Sequence, residues 1–116
     1  MSDLQNKKNY VNKLVTTTLS QCKRIKEVTV KFRNNKFATA ATTWEYETTH
    51  PTIIFSKHWL EKLPYSELKN LVLHECAHII AKDGHTKKFR RVCCKIGVTK
   101  KWQGSYAENV VVSKNE

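Results

Sequence analysis

The chain has 116 residues, 40% of them hydrophobic, and its 21 lysines and arginines against 10 acidic residues give a net charge of +11. This size fits one domain, residues 1–116, with a single modest core. The N-terminus lacks the apolar segment of a secretory signal, and no apolar run approaches the roughly 20 residues that cross a bilayer. We therefore expect an intracellular protein without a membrane partner, in the cytoplasm or nucleus (of a host cell if the chain is viral).

The positive charge favours polyanionic partners, nucleic acid above all, because neutralising phosphates releases counterions. A lysine-rich composition of the source organism is the competing explanation. Four cysteines are present without a C-x-x-C pair, at Cys22, Cys76, Cys93 and Cys94. That spacing indicates neither a zinc ribbon nor a disulfide framework, so reduced thiols are expected.

The N-terminal segment predicts a helix over residues 2 to about 24. Apolar residues recur there at helical spacing, and Ser2 with Gln5 forms a capping-box pattern. The opposite side is lysine-rich, which a solvated face explains as well as a contact with DNA does.

The pattern then changes to that of a small sheet. Residues 28–33 alternate between apolar and polar, as in a strand with one buried face. A turn at 34–35 leads into the Thr- and aromatic-rich segment 37–46, which predicts a second strand. The apolar segment 52–55 predicts a third strand. An antiparallel or mixed three-stranded sheet is expected.

The second half of the chain is predicted to be helical. Residues 56–63 form a short helical turn before Pro64, and residues 65–82 form a helix that is apolar over more than half its circumference. Such a helix is buried against other elements. Asp83 and Gly84 are expected to end it.

A last helix is predicted over residues 87–96. Thr86 can cap its N-terminus and Gly97 its C-terminus, and Phe89 begins its apolar stripe, which is expected to join the core. Beyond it, residues 109–112 are a possible short strand.

An H-E-x-x-H sequence lies inside the predicted 65–82 helix. His74 and His78 are four residues apart and so share one helix face, while Glu75 can flank them without occupying a coordination position. Two ligands, an adjacent base and an open position for water are what a hydrolytic zinc needs. Cys76 points away from that face, so we interpret it as a packing residue.

A catalytic zinc requires a third protein ligand. His85 is the first choice, because it follows the predicted turn and lies seven residues beyond His78. Glu108 is the alternative, on the pattern of zinc enzymes whose third ligand is a distant downstream carboxylate. His50 and His58 precede the motif and are expected to be surface or sheet-end residues.

The segment LEKLPYSELKNLVLHECAHIIAKDGHTKKFRRVCCKIG resembles the core of the SprT-like metalloproteases, which include Spartan-type proteases of DNA–protein crosslinks and their WLM-domain relatives. The shared features are a proline-led helix start, the L-x-x-L-x-L-H-E-x-x-H frame and a G-H-x-x-x-F sequence before the next helix. The resemblance covers about residues 25–97 and is strongest over residues 60–97. It implies a small zincin-like α+β fold and one zinc ion bound by three histidines, with a glutamate as general base. Those residues are His74, His78, His85 and Glu75.

The resemblance also implies peptide-bond hydrolysis by zinc-assisted attack of water, with Glu75 taking and returning the proton. An edge of the third strand, at residues 53–56, is expected to pair with an extended substrate. Tyr106 is a weak candidate for an additional oxyanion donor.

Many SprT-like proteins carry a four-cysteine zinc ribbon that has no counterpart in this sequence, so contact with DNA is expected from the domain's own basic surface or from a partner. We expect a monomer whose partners are a protein substrate and DNA. The residues expected to contact nucleic acid are Lys87, Lys88, Arg90, Arg91, Lys100, Lys101 and, as a stacking aromatic, Trp102. The alternatives are a nucleic-acid-binding or regulatory protein with a structural or vestigial zinc, and a protease that acts on a regulator.

Overall fold

The computed structural model describes residues 2–34, 39–42 and 49–103. The elements in chain order are α1 (Asp3–Leu19), β1 (Thr29–Arg33), β2 (Ala40–Thr42), β3 (Thr52–Ser56), α2 (Lys57–Lys62), α3 (Tyr65–Ala81), α4 (Lys87–Ile96) and a 3-10 turn (Lys100–Trp102). This is the α+β arrangement that the sequence predicts. The possible strand at 109–112 and most of the predicted second strand lie outside the described residues. Among the helices of the described part, none combines the length and apolar character needed to span a membrane.

The first helix is shorter than the sequence predicts. It begins as expected, since the Ser2 side chain accepts a hydrogen bond from the backbone N–H of Gln5. It ends at Leu19 instead of near residue 24. The last turn is rich in β-branched threonine, which is a poor helix former, and Ser20 turns its hydroxyl back onto the Thr17 carbonyl. Apolar residues continue at helical spacing beyond Leu19, but the chain there is no longer helical.

The sheet is mixed, with the strand order β1-β3-β2. Strand β3 runs parallel to β1 and antiparallel to β2. Both edges of β3 are therefore occupied by neighbouring strands, and the prediction that residues 53–56 offer a free edge to a substrate is wrong. The sequence shows that a strand exists but carries no signal for its order in the sheet.

Helix α3 is the central element, and every residue from Leu71 to Ile79 on it is buried. One side packs with α1, α2 and the sheet in the main core, which includes Val15, Phe55 and Cys76. The other side joins a smaller cluster with α4. This double burial fits the apolar circumference seen in the sequence, and it fixes the helix that carries the H-E-x-x-H motif.

Helices α3 and α4 are each followed by a residue in the left-handed backbone conformation. Lys82, with φ 55°, follows α3, and Gly97, with φ 95°, follows α4. Gly97 behaves as predicted, because glycine adopts this conformation without steric penalty. The end of α3 differs from the prediction by one residue, since Lys82 makes the turn in place of Asp83 and Gly84.

Lys7 ties α1 to the end of α2. The residue is buried, and its Nζ donates to the carbonyl of Leu63 at 2.7 Å and to that of Glu61 at 3.3 Å. These carbonyls end a helix, where no further helical N–H reaches them. We expect Lys7→Met, which keeps the aliphatic stem, to lower the free energy of unfolding in urea by about 1–3 kcal/mol because two acceptors lose their donor.

The matched control is Lys13→Met, at an exposed position of the same helix. Its free energy of unfolding should stay within about 0.5 kcal/mol of the wild-type value. Equal losses in the two variants would show that Lys7 has no special role in joining the helices.

Candidate metal centre

The two histidines of the motif face each other on α3. Both His74 and His78 are only 1% exposed, and their Nε2 atoms lie 3.3 Å apart. The four-residue spacing places both rings on one side of the helix, as the sequence predicts. Because α3 is packed on both sides, neither ring can turn out to solvent.

The loop after α3 brings a third histidine over the same face. The Asp83 carboxylate accepts hydrogen bonds from the Gly84 backbone N–H at 2.9 Å and from the Thr86 hydroxyl at 2.7 Å. The Thr86 hydroxyl is the main cause of the lowered pKa of Asp83, so this carboxylate stays charged and holds the turn. His85 lies within that turn, and its Nε2 is 3.3 Å from the Nε2 of His74.

Backbone carbonyls fix the orientation of the two buried rings. His74 Nδ1 lies 2.6 Å from the Trp102 carbonyl oxygen, and His78 Nδ1 lies 2.8 Å from that of Asp83. A carbonyl can only accept, so each Nδ1 carries the proton and donates it. In the neutral form that binds a metal, each ring then has its lone pair on Nε2, which lies at the centre of the cluster.

The donor set fits a zinc ion. The ligand atoms of His74, His78 and His85 all lie within 4.8 Å of one another. Two nitrogens bound to zinc at about 2.0–2.1 Å in tetrahedral geometry are about 3.3 Å apart, as the two measured Nε2 pairs are. Nitrogen lone pairs that face each other at that distance repel. A single shared proton could bridge only one of the two nitrogen pairs. A cation between the three rings removes the repulsion.

Glu75 lies beside this cluster and outside the ligand set. It is fully buried, and its Oε2 is 3.9 Å from His74 Nε2. The clustered ligand atoms belong to the three histidines and do not include this carboxylate, but Glu75 is close enough to contact a water molecule at the centre. The arrangement matches the flanking position that the sequence predicts for Glu75.

Phe89 forms an apolar wall under the three histidines. Its ring stacks on His78 with centroids 4.3 Å apart and meets His74 at 5.0 Å and His85 at 5.2 Å. The sequence predicts only a core position for Phe89. The G-H-x-x-x-F spacing, which places it four residues after His85, is the available signal for a second role.

The other candidates from the sequence lie elsewhere. Cys76 is buried in the main core, and burial, followed by the charge of Glu75, raises the pKa of its thiol, so it remains a packing residue. His50 pairs with Thr49 on the surface, and His58 packs edge-on against Trp59. Glu108 and Tyr106 lie outside the described residues.

The basic residues predicted to bind nucleic acid line the outer face of α4 and the turn after it. We call them the basic strip: Lys87, Lys88, Arg90, Arg91, Lys100 and Lys101. All of them are exposed except Arg90, which is half-buried. Six residues of α4 line an open cleft of about 460 Å³: the basic Lys88, Arg90, Arg91 and Lys95, together with Val92 and Cys94. Trp102 is half-buried, packs against both core clusters and donates its indole N–H to Glu67, which favours a structural role over stacking on bases.

Comparison with known proteins agrees with this description. The chain resembles the crystal structure of the metallopeptidase zymogen of Pyrococcus abyssi abylysin, with a TM-score of 0.62 and 23% identity over 90% of this chain and 93% of that chain. At this identity the likeness supports the shared fold. No curated protein sequence matches the chain. The profile of the SprT-like family matches residues 6–112, which include α3 and all three histidines, and the chain therefore belongs to the SprT-like family.

Proposed function

We propose that the chain is a zinc-dependent metallopeptidase of the H-E-x-x-H type that cleaves peptide bonds within proteins. The observation that carries this proposal is the convergence of three histidine Nε2 atoms beside a fully buried glutamate. Membership of the SprT-like family and the fold shared with a metallopeptidase zymogen support it.

The histidines would hold the metal and leave one coordination position open. A zinc ion held by these residues would supply Lewis-acid chemistry, which lowers the pKa of bound water to about 7 and polarises a carbonyl. His74, His78 and His85 keep their Nε2 atoms directed at that point, two of them through the carbonyl partners of their Nδ1 atoms. Phe89 excludes water from the side of the site that faces the core.

Glu75 performs the proton transfers. Its carboxylate accepts a proton from the attacking water as the new C–O bond forms at the peptide carbonyl carbon. It then gives the proton to the departing amide nitrogen as the C–N bond breaks. Burial of Glu75 keeps its geometry fixed between the two steps, and the carboxylate ends the cycle as it began.

The donor set favours a catalytic zinc over a structural one. Structural zinc sites are closed by four protein ligands, usually with cysteine among them, whereas this cluster has three histidines and no fourth ligand in the described part of the chain. A structural or vestigial site would also have no use for a buried carboxylate next to the ligands.

The test of this function is cleavage of an extended protein by the full chain. Zinc-loaded enzyme should cleave an unfolded polypeptide such as reduced casein, lose the activity on treatment with a chelator, and regain it when zinc is restored. Activity that survives full removal of the metal would overturn the proposal.

We further propose that proteins bound or crosslinked to DNA are the substrates, which would make the protein a factor in DNA–protein crosslink repair. Support comes from the basic strip, which starts two residues after His85 and so lies next to the metal centre. A duplex held there would bring a protein attached to it close to the open position. Cleavage of a DNA-bound protein should exceed cleavage of the same protein free in solution.

Neutralising part of the basic strip should weaken DNA binding and reduce its salt dependence. We expect Lys88→Gln combined with Arg91→Gln to lower the slope of log K against log salt by about 1.8, since each lost phosphate contact removes about 0.9. Fluorescence anisotropy on duplex DNA measures this. The charge-matched control is Lys13→Gln with Lys23→Gln on and after α1, and equal slope changes in the two pairs would place the DNA elsewhere.

A further inference from the structure

The chain crosses back over α3 directly after α4. We call residues 98–103 the strap. Three successive contacts join it to one face of α3. The Glu67 carboxylate accepts from the Trp102 indole, the Asn70 side-chain oxygen accepts from the Thr99 backbone N–H at 2.8 Å, and His74 donates to the Trp102 carbonyl at 2.6 Å. Positions 67, 70 and 74 share one helix face, so the three contacts form one row that ends at the metal ligand.

One strap residue makes two of these contacts. Trp102 donates its indole N–H to Glu67, one end of the row, and its backbone carbonyl accepts from His74 at the other end. The Glu67 carboxylate therefore restrains the rotamer of Trp102, and through it the position of the carbonyl. Lys101 lies 3.7 Å from the same carboxylate, but 60% of its side chain is exposed, so that pair contributes little.

Hydrogen bonds between residues of the strap also stabilise it. Gln103 is buried, and its side-chain amide donates to the Val98 carbonyl at 3.0 Å, while the Trp102 backbone N–H donates to the Thr99 carbonyl at 2.9 Å. The Trp102 ring packs against both core clusters. The carbonyl that accepts from His74 thus belongs to a segment held by its own hydrogen bonds and by packing against the core.

We propose that Glu67 and Trp102 are positioning residues for the metal centre: their hydrogen bond holds the Trp102 carbonyl against His74 Nδ1, which keeps His74 Nε2 directed at the other two histidines. The proposal rests on the metal-binding function proposed above. Partners of this kind orient a ligating histidine and raise its basicity, and their loss commonly weakens metal binding about 10- to 100-fold.

Binding of the metal alone tests the proposal, with the full chain, Co²⁺ as a spectroscopic probe and Zn²⁺ in competition with a chromophoric chelator. Glu67→Leu removes the acceptor, and Trp102→Phe removes the donor but keeps an aromatic ring. Each should bind metal about 10- to 100-fold more weakly than wild type and give an altered Co²⁺ visible spectrum. Glu67→Gln retains an acceptor oxygen and should stay within about 3-fold of wild type.

Glu61→Leu is the matched control, since this exposed glutamate on α2 takes part in none of the three contacts. It should bind metal as wild type does. Thermal unfolding of each metal-free variant is measured in parallel. If Glu67→Leu fails to fold, Trp102→Phe carries the test.

Wild-type affinity and spectrum in both Glu67→Leu and Trp102→Phe would overturn the proposal while leaving the metal site intact. Weaker binding that parallels a loss of metal-free stability, with an unchanged Co²⁺ spectrum at saturation, would also overturn it, because Glu67 would then be only structural. Absence of metal binding by the wild-type chain would refute the proposed function itself.

Discussion

Glu75→Gln should abolish peptidase activity and leave zinc in place. The amide has nearly the same shape as the carboxylate but cannot take a proton from water, so the loss of general-base catalysis should lower kcat about 100- to 10,000-fold. Zinc content should remain near one ion per chain, because the ligating nitrogens belong to the three histidines. Steady-state cleavage of a fluorogenic peptide and metal analysis of the same sample measure the two quantities together.

A conservative change on the exposed surface supplies the control for this variant. Glu61→Gln alters the same functional group on α2 and should retain wild-type kcat. Retained cleavage in Glu75→Gln would remove Glu75 from the mechanism. Simultaneous loss of zinc and activity would instead make it a ligand or a residue needed to form the site.

His85→Ala should reduce zinc affinity more than roughly 100-fold, because it removes a metal ligand. Loss of a residue that only hydrogen-bonds to a ligand commonly costs about 10- to 100-fold. His85 is half-buried and lies in the turn after α3, outside both core clusters, so the metal-free protein should keep its fold. Competition with a chelator measures the affinity, and far-UV circular dichroism checks the fold. His58→Ala, a histidine of α2, should bind zinc normally.

This variant also decides between the two third ligands that the sequence left open. Undiminished zinc binding by His85→Ala would exclude His85, and Glu108→Ala would then be expected to lose the metal. Loss of zinc in His85→Ala with retention in Glu108→Ala is the result that the histidine cluster predicts.

The parts of this fold that the sequence predicts well are those with local signals. Helix α4 runs from Lys87 to Ile96 as predicted, because Thr86 caps one end and a left-handed Gly97 closes the other. Helix α3 is bounded by Pro64 and by the turn at Lys82, within one residue of the prediction. The spacing of His74 and His78 on that helix determines their common face.

What the sequence misses depends on contacts between distant residues. The central place of β3 follows from its pairing with β1 and β2, and nothing within its five residues specifies that order. The carbonyl that orients His74 belongs to Trp102, 28 residues away, and backbone groups carry no sequence signature. The contact of Trp102 with Glu67 has no sequence signal for the same reason, since 35 residues separate the two side chains.

The central claim is that His74, His78 and His85 together hold one zinc ion next to Glu75. Zinc K-edge X-ray absorption on the purified, zinc-loaded chain tests it most directly, because the spectrum reports the number and type of ligands. We predict three imidazole nitrogens and one light oxygen donor at about 2.0–2.1 Å, with one imidazole fewer in His85→Ala. A sulfur shell at about 2.3 Å, or a spectrum unchanged in His85→Ala, would contradict the account.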